Sequence, residues 1–250
     1  MNNKFWYIFF IILTLKSYHL SAQNKSISLD NHQFRLVADL DSLDLKTGDI
    51  LFFQSTVFDG IMVQIGTFSP YTHSAMVILD PNGTLWLAHA TGNDYKGKGA
   101  PVRYEDQPRA GVILTRIEDS FLSTNKRKTG FYEKIWIRKL NESKMKRPST
   151  EDILHLYEKY KYLPFETSNF RFILTALDLR LFGKDLFSIA ANKSIMCSEF
   201  LFKVLSELDF PINSKQTPNE HTPKDIYRLI SHLYEQPLIY VFKNGMYQLK

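Results

Sequence analysis

HSAMVILDPNGTLWLAHA, residues 73–90, sets two runs of apolar and β-branched residues around Asp80-Pro81-Asn82-Gly83. Pro presets φ and Gly accepts the left-handed conformation, so this tetrapeptide is a turn signal. The stretch reads as a β-hairpin, with HSAMVILD (73–80) pairing with TLWLAHA (84–90). In a hairpin closed at its turn the far ends lie side by side. His73 begins one strand and His89 ends the other, so the pair is expected within a few residues of each other across the ladder.

Outward from the hairpin, GDILFFQ (48–54), GVILTRI (111–117), YEKIWIRKL (132–140) and LIYVF (238–242) read as further strands. Helices dominate later. Pro148-Ser149-Thr150-Glu151-Asp152 is a capping start for ILHLYEKY. NFRFILTALDLRLFG (169–183) has apolar residues at helical spacing. CSEFLFKVLSEL (197–208) gathers Phe200, Leu201, Val204, Leu205 and Leu208 on one face, and Thr222-Pro223 opens another helix. Strands first and helices mostly later predict an α+β fold, an antiparallel sheet or barrel core packed against helices.

The chain has 250 residues, 44% of them hydrophobic, with no internal repeat and no low-complexity tract. MNNKFWYIFFIILTLKSYHLSAQN at the start has a basic residue, Lys4, then an apolar run from Phe5 to Leu15, then small residues. This layout predicts a signal peptide over 1–22, a lead-in segment over 23–45 with a short helix near 34–40, and one domain over 46–250. The protein is then exported, periplasmic or secreted; an uncleaved N-terminal anchor is the alternative. The apolar run falls short of the roughly 20 residues of a membrane span. Removing 1–22 takes away Lys4 and Lys16 and no acidic residue, so the net charge falls from +5 to +3. That mild, dispersed charge does not suit nucleic-acid binding, and the NKRK cluster at 125–128 reads as a solvated loop.

Cys197 is the single cysteine, within SIMCSEF (194–200). One cysteine forms no internal disulfide and no cysteine-rich metal site. A lone cysteine is commonly an inert buried apolar residue, and that reading stands beside a reactive one. With Ser194 or Asn192 as cap, Cys197 falls in the first turn of its helix, where free N–H groups and the dipole favour thiolate and could hold an oxyanion. Of seven histidines, His155 and His232 fall within helices, and His221 sits in the polar PNEHTP loop and is expected in solvent. His73 and His89 either serve the thiol or are incidental strand-end residues. Two histidines without a nearby carboxylate make a poor zinc site, so no metal and no cofactor is expected.

GDILFFQ (48–54), VQIGTFSPYTHSAMVI (63–78), WLAHA (86–90) and MCSEF (196–200), in this order, resemble the circularly permuted NlpC-like cysteine amidases of the YiiX/YaeF type. The resemblance spans residues 45–230. It implies a permuted papain-like fold in which Cys197 is the nucleophile, His73 the base and His89 the third member. Two positions depart from that family. His89 stands where a glutamate is frequent, and Leu163-Pro164-Phe165-Glu166 where Pro-Tyr-Asp is frequent. A neutral histidine orients its partner without stabilising an imidazolium as a carboxylate does. Tyr71, two residues before His73, and Ser198, next to Cys197, are candidate substrate contacts; plain packing is the other reading of Tyr71. Glu199 suits the helix start.

The resemblance implies a thiol hydrolase acting on an amide bond, with peptidoglycan stem peptides as a substrate class. A lipid-directed thioesterase or acyltransferase of the same fold is the alternative. The lecithin–retinol acyltransferase relatives carry an Asn-Cys-Glu-His-Phe stretch, and MCSEF lacks its histidine. A non-catalytic cell-wall binding module is the third class. The expected partner is thus a peptide, cell-wall or lipid-like amide or ester, and the glycine- and charge-rich segment 92–111 is expected to wall the cleft.

Overall fold

Strand β1 (Ile50–Ser55) is apolar from Ile50 to Phe53 and buried at almost every position because both of its faces are covered. A computed structural model describes residues 43–55, 58–92, 110–117, 132–165, 194–243 and 246–250, all inside one compact unit, Gln33–Lys250. The proposed signal peptide, the helices expected near 34–40 and over 169–183, and the interior of the 92–111 segment lie outside the described residues.

After β1 come helix α1 (Phe58–Thr67), β2 (His73–Leu79), β3 (Leu85–Thr91), β4 (Gly111–Arg116) and β5 (Tyr132–Arg138). Then follow α2 (Thr150–Tyr160), α3 (Cys197–Glu207), α4 (Pro223–Leu229), β6 (Leu238–Lys243) and β7 (Met246–Leu249). The seven strands form one sheet in the order β4-β3-β2-β1-β5-β6-β7, and every neighbouring pair is antiparallel. The molecule is therefore α+β. No ladder joins β4 to β7 among the described residues, so by pairing the sheet is open rather than a closed barrel.

The expected hairpin is present. Gly83 takes φ of +81° at its turn, and the Asp80 carboxylate accepts from the N–H groups of Asn82 and Thr84, fixing the chain reversal. Both further caps read from sequence also form: Ser149 with Asp152 starts α2, and Thr222 with Asp225 starts α4, each a reciprocal capping box.

Alternation along the strands sorts the core into two layers. Ile50, Phe52, Met76, Ile78 and Ala88 face helices α2, α3 and α4 through Ile153, Phe200, Leu201, Val204 and Ile226. Leu51, Phe53, Ala75, Val77 and Leu87 face the other way and pack with Tyr132, Ile135, Tyr240 and Tyr247, side chains of the sheet itself. Helix α1 was not legible in sequence, since its FDGIMVQIGT is rich in glycine and β-branched residues. Its Gly60 permits a close approach to the end of β1: a Cβ there would lie 2.4 Å from the Ser55 Cβ. The helix delivers the chain to the start of β2.

Candidate active site

The β2–β3 ladder runs from Leu79↔Leu85 only as far as Met76↔Ala88. Beyond it, His73–Ala75 stays paired with β1 and His89–Thr91 with β4, but the two strands no longer pair with each other. The proposed chemistry gathers at this split.

His73 and His89 leave the sheet on the same face, diagonal to one another, as the turn and the two-residue period require. His73 Nε2 and His89 Nδ1 share a hydrogen bond of 2.7 Å. His89 Nε2 is bonded in turn to Thr115 Oγ1 at 3.0 Å. Thr115 was not singled out in the sequence; its contribution depends on the register of β4, where Leu87 faces Thr115 and His89 faces Ile113. The His73 ring packs against Phe53 at 5.6 Å and lies parallel to Tyr132 at 6.5 Å between centroids. His73 Nδ1 makes no hydrogen bond among the described residues.

Among the described residues no acidic side chain is bonded to this pair, and both rings are buried. Burial lowers the His73 pKa from 6.5 to about 4. Burial and the neighbouring His73 together hold His89 well below 6.5. Both are neutral at neutral pH. If His89 accepts at Nδ1 and donates from Nε2 to Thr115, His73 carries its proton on Nε2 and its bare Nδ1 is available as a base.

Cys197 is the first residue of α3. Its cap is Met196, in extended conformation with no side-chain hydrogen bond, rather than the expected Ser194; Asn192 lies outside the described residues. Ile195 is held instead by backbone: its N–H donates to Pro164 O at 2.8 Å, and it bridges to Phe165 in parallel. With no side chain spent on capping, the N–H groups of Cys197 and Ser198 are left to favour a charged sulfur, as do the N–H and hydroxyl of Ser74. Burial outweighs all of them and raises the Cys197 pKa above its ordinary 9.0. The sequence expectation was thiolate; the buried thiol is protonated at rest.

Alternation in β2 sends His73 and Ser74 to opposite faces. Ser74 shares the helix-covered face with Met76 and Ile78, and α3 packs there. Cys197 lies beside Ser74, the residue after His73, and its charge is felt by Tyr132, whose ring is parallel to that of His73. No hydrogen bond joins Cys197 Sγ to either imidazole among the described residues.

The Ser198 side chain turns away from the sulfur. It is fully buried and its hydroxyl donates to His221 O at 2.6 Å, so only its N–H is left to face the site. Tyr71 is half-buried, stacked on Tyr227 at 4.5 Å and set edge-on to Trp136 at 4.8 Å; burial and the Tyr227 hydroxyl raise its pKa. Glu199 pairs with Lys203 at 2.8 Å along α3. His221 is a correction. Only 1% exposed, it stacks on Phe202 at 4.0 Å and bonds Thr217 O and Ser214 Oγ through its two nitrogens. A polar flanking sequence did not reveal that an aromatic ring of α3 would cover it. Among the described residues no three His, Cys, Asp or Glu side chains gather as a metal site requires.

No family model matches the sequence, and no curated protein matches it. Among solved structures, the chain is similar to the crystal structure of the metalloprotein yiiX from Escherichia coli O157:H7. Identity is 17%, the match covers 80% of this chain and 89% of that one, and the TM-score is 0.42. That likeness is partial and carries no statement about activity; what stands is an α+β chain built on a seven-stranded antiparallel sheet.

Proposed function

We propose that this chain is an exported cysteine hydrolase of permuted papain-like architecture that cleaves an amide bond, with peptidoglycan stem peptides as its substrate class. One observation carries the reading: a buried His73–His89–Thr115 hydrogen-bond chain ends at the strand split where the single cysteine sits first on α3.

The resting protonation states shape the mechanism. Burial lowers the His73 pKa to about 4 and raises that of the thiol, so a separated thiolate–imidazolium pair lies well above the neutral pair. His89 is neutral and does not offset that cost as a carboxylate would. Proton transfer is therefore coupled to attack rather than completed beforehand. Sulfur bonds to the substrate carbonyl carbon while the thiol proton passes to His73 Nδ1, and the carbonyl oxygen becomes an oxyanion facing the N–H groups at the start of α3. Collapse expels the amine, which takes the proton from His73. Water, giving a proton back to His73, then opens the thioester and frees the acid and the thiol. The missing Cys197–His73 hydrogen bond forms in the substrate complex; such contacts are frequently long in free enzymes.

The test is acyl-enzyme mass after exposure to an activated amide or ester. Wild-type protein should gain one acyl group; Cys197→Ala and His73→Ala, folded by circular dichroism, should gain none. Acylation of His73→Ala at the wild-type rate would remove His73 as the base and end this reading.

A further inference from the structure

Three buried side-chain polar atoms among the described residues have no hydrogen-bond partner: Gln54 Oε1, Arg138 Nε and Ser74 Oγ. Gln54 and Arg138 each bond through other side-chain atoms. Ser74 does not: its one side-chain polar group is wholly unused in a residue of zero exposure. A buried hydroxyl without a partner costs folding free energy, and alanine of nearly the same shape would remove that cost. The hydroxyl projects from β2 on the face where α3 packs, in the stretch where β2 has parted from β3.

We propose that Ser74 is a catalytic residue of the thiol site, its hydroxyl and its own N–H donating to Cys197 Sγ as the sulfur becomes anionic. As the S–H bond breaks and the proton passes to His73 Nδ1, negative charge builds on sulfur until its electron pair is shared with the substrate carbonyl carbon. A protonated thiol is a weak acceptor, so the Ser74 hydroxyl is unpaired at rest. The thiolate is a strong acceptor, and the same hydroxyl is then satisfied. The donor is thus paired only in the charged state, which is the differential interaction that lowers a barrier. Both Ser74 groups also act to lower the Cys197 pKa against burial.

The assignment rests on the hydrolase reading, but its test needs no substrate. Cys197 is the only thiol, so iodoacetamide alkylation followed by intact mass reports it alone. Ser74→Ala should alkylate about tenfold more slowly than wild type at every pH below the thiol midpoint, equivalent to a midpoint about one pH unit higher. Its thermal midpoint should equal or exceed that of wild type, because an unpaired buried group has been removed. Alkylation of folded Ser74→Ala at the wild-type rate overturns the proposal. Loss of folding in Ser74→Ala also overturns it, since the hydroxyl would then be structural. An inert acylation probe alongside slowed alkylation would refute the hydrolase while leaving Ser74 as a donor to the sulfur; normal acylation with unchanged alkylation would do the reverse.

Discussion

Acid should unfold this protein through its buried imidazole pair. His73 has a folded pKa of about 4 against 6.5 in an unfolded chain, because its ring is buried among Phe53, Tyr132 and His89. As pH falls below 6.5 the unfolded chain binds this proton, while the folded chain stays neutral until about 4. The stability that His73 contributes is therefore fully present above 6.5 and is lost progressively as pH falls towards 4. The gap between those values corresponds to on the order of 3 kcal/mol. His89 is shifted in the same direction and adds to the loss, and the two titrate as a coupled pair. Against a typical domain stability of about 5–15 kcal/mol, this is a large fraction. Urea unfolding followed by circular dichroism, between neutral pH and about 4, should show a steep decline in wild type. The decline should be shallower by at least about 3 kcal/mol in a His73→Gln, His89→Gln double variant. Comparing the two removes contributions from groups such as His221, also lowered by burial, that both proteins share. Parallel pH profiles for the two proteins would refute the argument. So would a His73 imidazole resonance titrating near 6.5 by nuclear magnetic resonance.

Cys197 should resist alkylation at neutral pH, with a labelling midpoint above 9.0; a midpoint well below the free-thiol value of about 8.5 would show that burial does not dominate. Thr115→Val leaves His89 Nε2 without its partner and should lower stability by about 1–3 kcal/mol while slowing acylation without abolishing it, as read by urea unfolding and probe mass. Arg147→Ala strands the Asp49 carboxylate, 1% exposed and bonded to Arg147 at 2.8 Å. It should cost about 3 kcal/mol or more, measured by urea unfolding near neutral pH, and should leave acylation of the surviving folded protein unchanged. N-terminal sequencing of protein from the native cell envelope should begin near Gln23; a full-length chain sedimenting with membranes would favour the anchor.

Much of the architecture was written in local chemistry. The Asp80–Gly83 turn, the Ser149 and Thr222 caps and the alternating strands each depend on a few adjacent residues, and each formed as read. That His73 and His89 fall at the same end of the hairpin was legible for the same reason, because a short turn determines which ends coincide; the hydrogen bond between them was not. A second strand after Lys243 was not foreseen, and neither was α1, whose residues are weak helix formers and whose Gly60 approaches Ser55 closely.

The rest of the candidate site depends on partners distant in sequence. Thr115 reaches His89 through the β3–β4 register, which no neighbouring residue announces. His221 is buried because Phe202 lies over it, although its own flanking residues are polar. The Cys197 pKa changed direction between sequence and structure: a helix start favours thiolate, but enclosure by the sheet opposes it more strongly. Turn, cap and strand period are properties of short segments, so the amino-acid order determined them. Burial and register arise only when separate segments pack, so the tertiary structure alone decided which partners these side chains meet and which groups are neutral.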